Sequence, residues 1–413
     1  MTQIDKLKVG AQLTEDNQFY ANVYLGDTKN TFRDTHRDFS GFDYRLMNSS
    51  FDDLELTAYA SMYDENSELP PFFLNAPPLS PTTVPPATSS YDELSLRHPV
   101  DYSRTRAGLK GVWQPFGDRR SCYPSYGLRD GTSLTGGYEY YQLERDFATY
   151  NTLLGPFTQP DTITHQIEFG PSTRWSRRLD TYTRYKVRFI DVPLIGVREY
   201  NGGFNTNQPE QEHVVEVGGT WTPTENFMAT TQFSLVNSWH RSEFANFTED
   251  SYPIVCTLWY APTHRLSLTG GYAYYSNWID QDITLGFTTP TAPVPPLRTE
   301  TTRWDYAGEN HLVSLNASYA WTECVQLVGG YEWNRGNNAF SVPASPAGAD
   351  WTLLPFLSDV IVETNRVTAG VDWQPYQNMD VYLRYILFDY DDLSAGLDSG
   401  ISHMALAGAG VNW

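Results

Sequence analysis

Residues able to do acid–base, nucleophilic or metal chemistry are few and scattered. Eight histidines occur in 413 residues: His36, His98, His165, His213, His240, His264, His311 and His403. No two show the HExxH or HxH spacing that would bring two imidazoles to one metal. The three cysteines, Cys122, Cys256 and Cys324, are odd in number and far apart, which excludes a dense disulfide framework and leaves room for one bridge at most. Neither CxxC nor CxxCH is present, so neither a structural zinc site nor covalent haem attachment is supported. A nucleophile elbow and a P-loop are likewise missing. The nearest local pairing for nucleophilic chemistry is His240 beside Ser242, with no third group in sequence to orient it. The chain is not expected to be an enzyme, and no cofactor is expected.

Carboxylates are more plentiful. Lys and Arg number 28 against 49 Asp and Glu, a net charge of -21, which disfavours nucleic acid as a partner. The acids gather in clusters: Asp52, Asp53 and Glu55, then Glu249 and Asp250, then Asp389, Asp391 and Asp392. Asp389, Asp391 and Asp392 are candidate rim ligands for divalent cations, although a solvated loop would look the same. If the chain encloses a pore, Glu139, Glu332 and Arg384 are the candidates to set its selectivity, and the acidic balance predicts a preference for cations.

The elements that must position these groups are strands. The chain holds 28 Tyr, 21 Phe, 12 Trp and 30 Gly, with no run approaching 18 apolar residues. Alternation has period two. Phe227, Ala229, Thr231, Phe233 and Leu235 share one face, against Met228, Thr230, Gln232 and Ser234. Met379, Val381, Leu383, Tyr385 and Leu387 do the same, against Tyr382, Arg384 and Ile386. Each strand needs about 9–11 residues to cross a bilayer. One face is Leu, Val, Phe, Tyr, Gly and Ala. The other is hydroxyl, amide and charge, as Val328, Gly330 and Glu332 illustrate.

An internal repeat accompanies the alternation. SLTGGYEYY at 133–141 returns as SLTGGYAYY at 267–275, and LVGGYEW at 327–333 is a looser copy. Before such strands comes an aromatic and a short polar turn. Trp221, Tyr260, Trp321 and Trp373 each stand six residues before the next strand's first apolar residue, and Trp113 and Trp175 open related but less regular copies. Eight hairpins follow, near 6–30, 39–63, 104–145, 165–192, 213–239, 253–278, 311–334 and 366–390, with a last strand over 403–413. Between hairpins lie long connections at 64–102, 146–162, 193–212, 279–310 and 335–363, holding most of the 26 prolines.

Short turns at one end and long loops at the other predict an all-β, antiparallel transmembrane β-barrel of about 16–18 strands, as one domain over 1–413. The aromatics Trp113, Trp175, Trp221, Tyr260, Trp321 and Trp373 would ring it at one height as an interface girdle. The end of the chain, HMALAGAGVNW, places Val411 and Trp413 on the apolar face and resembles the signal read by the barrel-assembly machinery. Seventeen strands is odd where bacterial barrels are even, which points to a missed strand or one upstream of Met1. The start, MTQIDKLKVG, has no basic segment followed by an apolar one, so it is not a signal peptide. The expected location is the bacterial outer membrane, with outer-membrane lipid and lipopolysaccharide as surroundings.

GGTWTPTENFMATTQFS, with GVDWQPYQNMDVYLRY and GVWQP, resembles the hairpin repeat of the MtrB/PioB-type barrels, the decahaem-associated outer-membrane proteins, across roughly 100–413. The resemblance implies a wide barrel enclosing a multihaem cytochrome and passing electrons across the membrane. The chain departs from that family in being shorter and in lacking the N-terminal CxxC of some members. Three functions therefore stand: a porin-like channel for small solutes or ions, such a sheath, and a soluble β-repeat protein that binds glycans.

Overall fold

The computed structural model describes residues 2–30, 35–68, 101–115, 131–146, 161–191, 209–241, 246–288, 297–341, 359–394 and 399–411. All regular structure in them is strand. The strands are β1 (Thr2–Thr14), β2 (Asn17–Asn30), β3 (Thr35–Phe51), β4 (Leu54–Glu68), β5 (Asp101–Trp113) and β6 (Thr132–Asp146). Next come β7 (Thr162–Ser176), β8 (Leu179–Asp191), β9 (Gln211–Thr224), β10 (Phe227–Arg241), β11 (Asn246–Ser251) and β12 (Ile254–Thr263). The last are β13 (Leu266–Thr288), β14 (Leu297–Ala320), β15 (Val325–Ser341), β16 (Val360–Tyr376), β17 (Met379–Asp392) and β18 (Gly400–Val411).

Apart from β11 and β12, strands adjacent in sequence pair antiparallel, from β1–β2 through to β17–β18. β11 and β12 are two lengths of one stave. Both pair with β10 and both with β13, and the register is the same on either side of the break: Ser251 faces Val236, and Ile254 faces Phe233. Pro253 causes the break, because it has no N–H to give the ladder. Its carbonyl still accepts from Ser234 N at 2.9 Å, and Tyr252 N turns to Ser276 Oγ at 3.1 Å. The eighteen strands thus make seventeen staves in one coiled antiparallel sheet, a β-barrel wall. A propeller would divide into four-stranded blades, so the soluble repeat reading falls.

The eight hairpins lie where alternation places them. The strands are longer than crossing a bilayer needs: β13 has 23 residues and β14 has 24. Most of the loop expected at 279–310 is therefore strand, and so is 335–341. The reason is polarity by position: Asp280, Asp282, Arg303 and Asp305 continue the outward face beyond its apolar part, so this hairpin keeps its ladder in water. The Pro-rich stretches at 70–86 and 289–296 lie outside the described residues.

The barrel inverts the usual soluble arrangement. Leu7, Leu25, Leu109, Phe169, Leu258, Leu315 and Leu383 all point outward, and each is at least half exposed. The opposite, concave face carries hydroxyls, amides and paired charges. Residues directly across an antiparallel ladder share a face, so the register alone assigns each residue to one side or the other.

Candidate solute pathway

Following the ladder inward from Glu139 on β6 gives one continuous row: Arg45, Tyr59, Gly108, Glu139, Gln166, Arg188, Glu212, Ser238 and Glu249 stand opposite one another on successive staves. Glu139 is held from two sides. Arg106 Nη2 donates to its Oε2 at 2.6 Å, and Tyr59 OH donates to the same oxygen at 2.5 Å. Tyr59 sits on β4, two staves away, and reaches across β5 because the residue between is Gly108. A Cβ there would meet the Tyr59 ring at 2.5 Å. Tyr182 uses the same device, passing over Gly218 to donate to Gln232 Oε1 at 3.2 Å. Rings laid flat against glycine leave the lumen open rather than filling it.

The row continues as a charge lattice. Arg188 donates to Gln166 Oε1 at 2.8 Å and to Glu212 Oε1 at 2.6 Å, and Ser238 Oγ donates to Glu249 Oε2 at 3.1 Å. Beside it, Lys110 lies 3.0 Å from Glu168, and Glu216 is shared by Arg184 at 3.6 Å and Lys186 at 4.0 Å. Nearer the long loops, buried Glu65 takes Arg37 at 3.2 Å and the hydroxyls of Tyr63 and Tyr102 at 2.8 and 2.9 Å. Arg104 lies over both rings, 4.9 and 5.1 Å from their centroids. Of these groups, Arg45, Tyr59, Arg106, Lys110, Glu139, Gln166 and Glu168 border a cavity of about 990 Å³ along β1–β7, with Lys8 and Asp43.

On the wall of β1–β7 the unpaired bases outnumber the unpaired acids. Among the described residues there, lumen-facing Lys6, Lys8, Arg45 and Arg104 have no carboxylate in ion-pair range, against Asp43 and Glu55 without a base, whereas Glu65, Glu139 and Glu168 each have a basic partner; further round the wall Glu212 and Glu216 are paired, and Glu249 and Glu332 are not. The opposite wall differs. A second cavity, about 400 Å³, is lined mainly by Ser, Thr, Asn and Gly of β13–β16.

Of the three pore candidates, all face the lumen. Glu139 belongs to the lattice. Glu332 stands opposite Ser314 and Arg366 and borders the second cavity. Arg384 is already committed, donating to both oxygens of Asp372 at 2.6 and 2.7 Å and to Val371 O at 3.1 Å. The six girdle aromatics all face outward beside the turns, between 41% and 62% exposed. Trp175 Nε1 donates to Thr181 Oγ1 at 2.7 Å, and Trp221, Phe227 and Tyr260 form a ring-to-ring chain at 5.8 and 6.2 Å. At the rim, Asp389 and Asp391 alternate with Asp392 on the other face, so β17 does not converge the three on one ion. The three-ligand group among the described residues is instead Asp27, His36 and Asp38 on β2 and β3. Val411 pairs with Met379, and Trp413 lies outside the described residues. Cys256 and Cys324 are free thiols. Cys122, His98 and Ser242 are outside the described residues.

No family model matches the chain, and no curated relative does. Solved structures do. The FrpB iron transporter from Neisseria meningitidis superposes with a TM-score of 0.59 at 11% identity, over 99% of this chain and 63% of that one. A ferric enterobactin receptor from Pseudomonas aeruginosa gives 0.50 at 9% identity, over 99% of this chain and 69% of its own. At such identities the likeness is one of fold. The chain is an outer-membrane β-barrel. Sequence, register and neighbours agree on that location, and the barrel stands in lipid with its lipid-facing wall apolar and its lumen polar.

Proposed function

We propose that this barrel is a transporter giving small polar solutes an aqueous route across the outer membrane, with a wall that favours anions. The observation that carries this is the wall of β1–β7, where four lumen-facing bases, Lys6, Lys8, Arg45 and Arg104, lack an ion-pair partner against two such carboxylates, Asp43 and Glu55. The cation preference expected from composition counts acids wherever they lie. Many of them, such as Asp389 and Asp391, stand on the outward face near the rim, where a permeating ion does not pass. Rings of unpaired charge facing the lumen are what filter ions.

The sheath reading remains the alternative, and the MtrB/PioB-like repeat is what supports it. The repeated Trp residues lie on the lipid side, so they speak for a shared hairpin and not for the lumen's contents.

The test is a planar-bilayer recording of the refolded chain in a KCl gradient, paired with haem absorbance of the natively purified protein. We expect ohmic steps, a reversal potential on the anion side, and movement of that potential towards cations when Lys8 and Arg45 are both changed to Gln. A reversal potential on the cation side would overturn the anion assignment. Silence together with stoichiometric haem would replace the channel with the sheath.

A further inference from the structure

The lipid-facing wall repeats one polar contact at one height. Tyr138 OH lies 2.8 Å from His165 Nδ1, Tyr185 OH 2.5 Å from His213 Nδ1, Tyr272 OH 3.1 Å from His311 Nδ1, and Tyr385 OH 2.6 Å from His403 Nδ1. A fifth copy has an amide in place of the imidazole: Tyr331 OH donates to Asn365 Oδ1 at 2.8 Å. The geometry is the same each time. The partner stands two residues towards the long loops from the residue directly opposite the tyrosine, which is Ile167, Val215, Val313, Ala405 or Val367. All five pairs bridge staves joined at the end opposite the short turns, and all face outward with the Trp ring.

Their height is set by the chain. His165 and His311 precede the girdle residues Trp175 and Trp321 by ten positions, and His213 and Asn365 precede Trp221 and Trp373 by eight. At about 3.3 Å per residue and a tilt near 40°, that is about 20–25 Å along the barrel axis, the height of the apolar band of an outer-membrane barrel. The outward residues between the two levels include Val215 and Val217 on β9, Val313 and Leu315 on β14, and Val367, Ala369 and Val371 on β16. Just beyond the pairs come Glu309 and Glu363. The Tyr–His pairs therefore mark the second membrane boundary, on the side of the long loops.

An ordinary girdle needs only Trp and Tyr. Here the tyrosine hydroxyl engages imidazole Nδ1, and where the hydroxyl is the donor the other ring nitrogen carries Nε2–H, an oriented donor with no protein partner. Arg335 stands directly opposite His311 on the same face. Donors and cations at the headgroup level, above an apolar wall, match a phosphate carried on a lipid. We propose that the Tyr–His belt binds the phosphate groups of outer-leaflet glycolipid, that is, lipopolysaccharide. The proposal rests on the barrel and its membrane, not on the solute that passes.

The test counts lipid A molecules retained per barrel by native mass spectrometry of the full chain, using phosphorylated and enzymatically dephosphorylated lipid A. The expected result is retention of the phosphorylated lipid about tenfold above the dephosphorylated one, since hydrogen bonds to an ionised phosphate are the stronger ones. Changing His165, His213, His311 and His403 together to Phe should abolish the difference while keeping an apolar ring at each site. Equal retention of the two lipids by the unmodified protein would overturn the proposal and reduce the belt to an aromatic anchor. That comparison needs no variant, so a folding failure of the fourfold change does not blunt it.

Discussion

Tyr59 reaches Glu139 only because Gly108 has no side chain, and this ties a local choice of residue to the chemistry of the wall. The ring of Tyr59 occupies the space that a Cβ at position 108 would take, and the carbonyl of Tyr138 lies 2.9 Å from that point on the far side. Gly108→Ala must therefore push the ring into the lumen and break its bond to Glu139. Such overpacking costs about 1–3 kcal/mol. We expect a lower urea midpoint and a narrower single-channel conductance. Tyr59→Phe separates the two effects: it removes the hydroxyl but leaves the ring in place, so it should alter selectivity without narrowing the pore. If Gly108→Ala left conductance untouched, the cavity beside Glu139 would not be on the solute path. Arg384 teaches the complementary lesson. It faces the lumen as its sequence position suggests, yet the carboxylate of Asp372 holds it on both arms, so facing the pore and being free to select ions are separate properties.

At the scale of the strand, the two faces make opposite demands on one and the same substitution. Leu315 points outward and is 56% exposed, about midway between Trp321 and His311, while Asn316 next to it borders the second cavity. A charge on the lipid face near the bilayer midplane costs about 2–4 kcal/mol, and a lumenal charge costs far less because water reaches it. Leu315→Arg should lower unfolding stability in lipid vesicles by about that much, whereas Asn316→Arg should leave it nearly unchanged and shift the reversal potential instead. Equal losses from both would mean that the apolar face is not in lipid. This two-sidedness is also why so much of the fold is legible in sequence. Period-two alternation and an aromatic six residues before the next strand are local signals, and they locate all eight hairpins and the last strand, giving the seventeen staves found. What sequence withholds is register between staves. Arg106 and Glu139 are 33 residues apart, and Arg188 and Glu212 are 24 apart, so the charge lattice appears only once the ladders are aligned. The Tyr–His belt lies between these cases. Its histidines read singly as ordinary wall residues, although a spacing of eight or ten from the girdle aromatic on the same strand was there to be found.

For the whole molecule, the odd number of staves sets a constraint on the seam. Neighbouring staves alternate in direction, so the first, β1, and the seventeenth, β18, run the same way. Among the described residues β1 has its ladder with β2 and β18 with β17, and no ladder joins the two. Their outward side chains are well exposed, Leu7 and Ile401 each at 64%. Hydrocarbon does not tolerate a row of unpaired N–H and C=O groups, each of which costs several kcal/mol without a partner. The seam must therefore be paired in the membrane, either by β1 against β18 in parallel or by further antiparallel strand between them. Amide hydrogen exchange on the bilayer-embedded protein reads this directly. We expect every amide of Leu7–Ala11 and Ala405–Ala409 to be protected, as in the middle of the wall. Fast exchange at every second amide would mean an open edge, and the sheet would then be a curled wall leaning on something other than its own strands. Given protection, cross-linking of cysteines placed on the outward faces of β1 and β18 decides between the two closures, because parallel contact brings the strands within reach of a disulfide and an intervening stave, at about 4.8 Å per step, holds them too far apart.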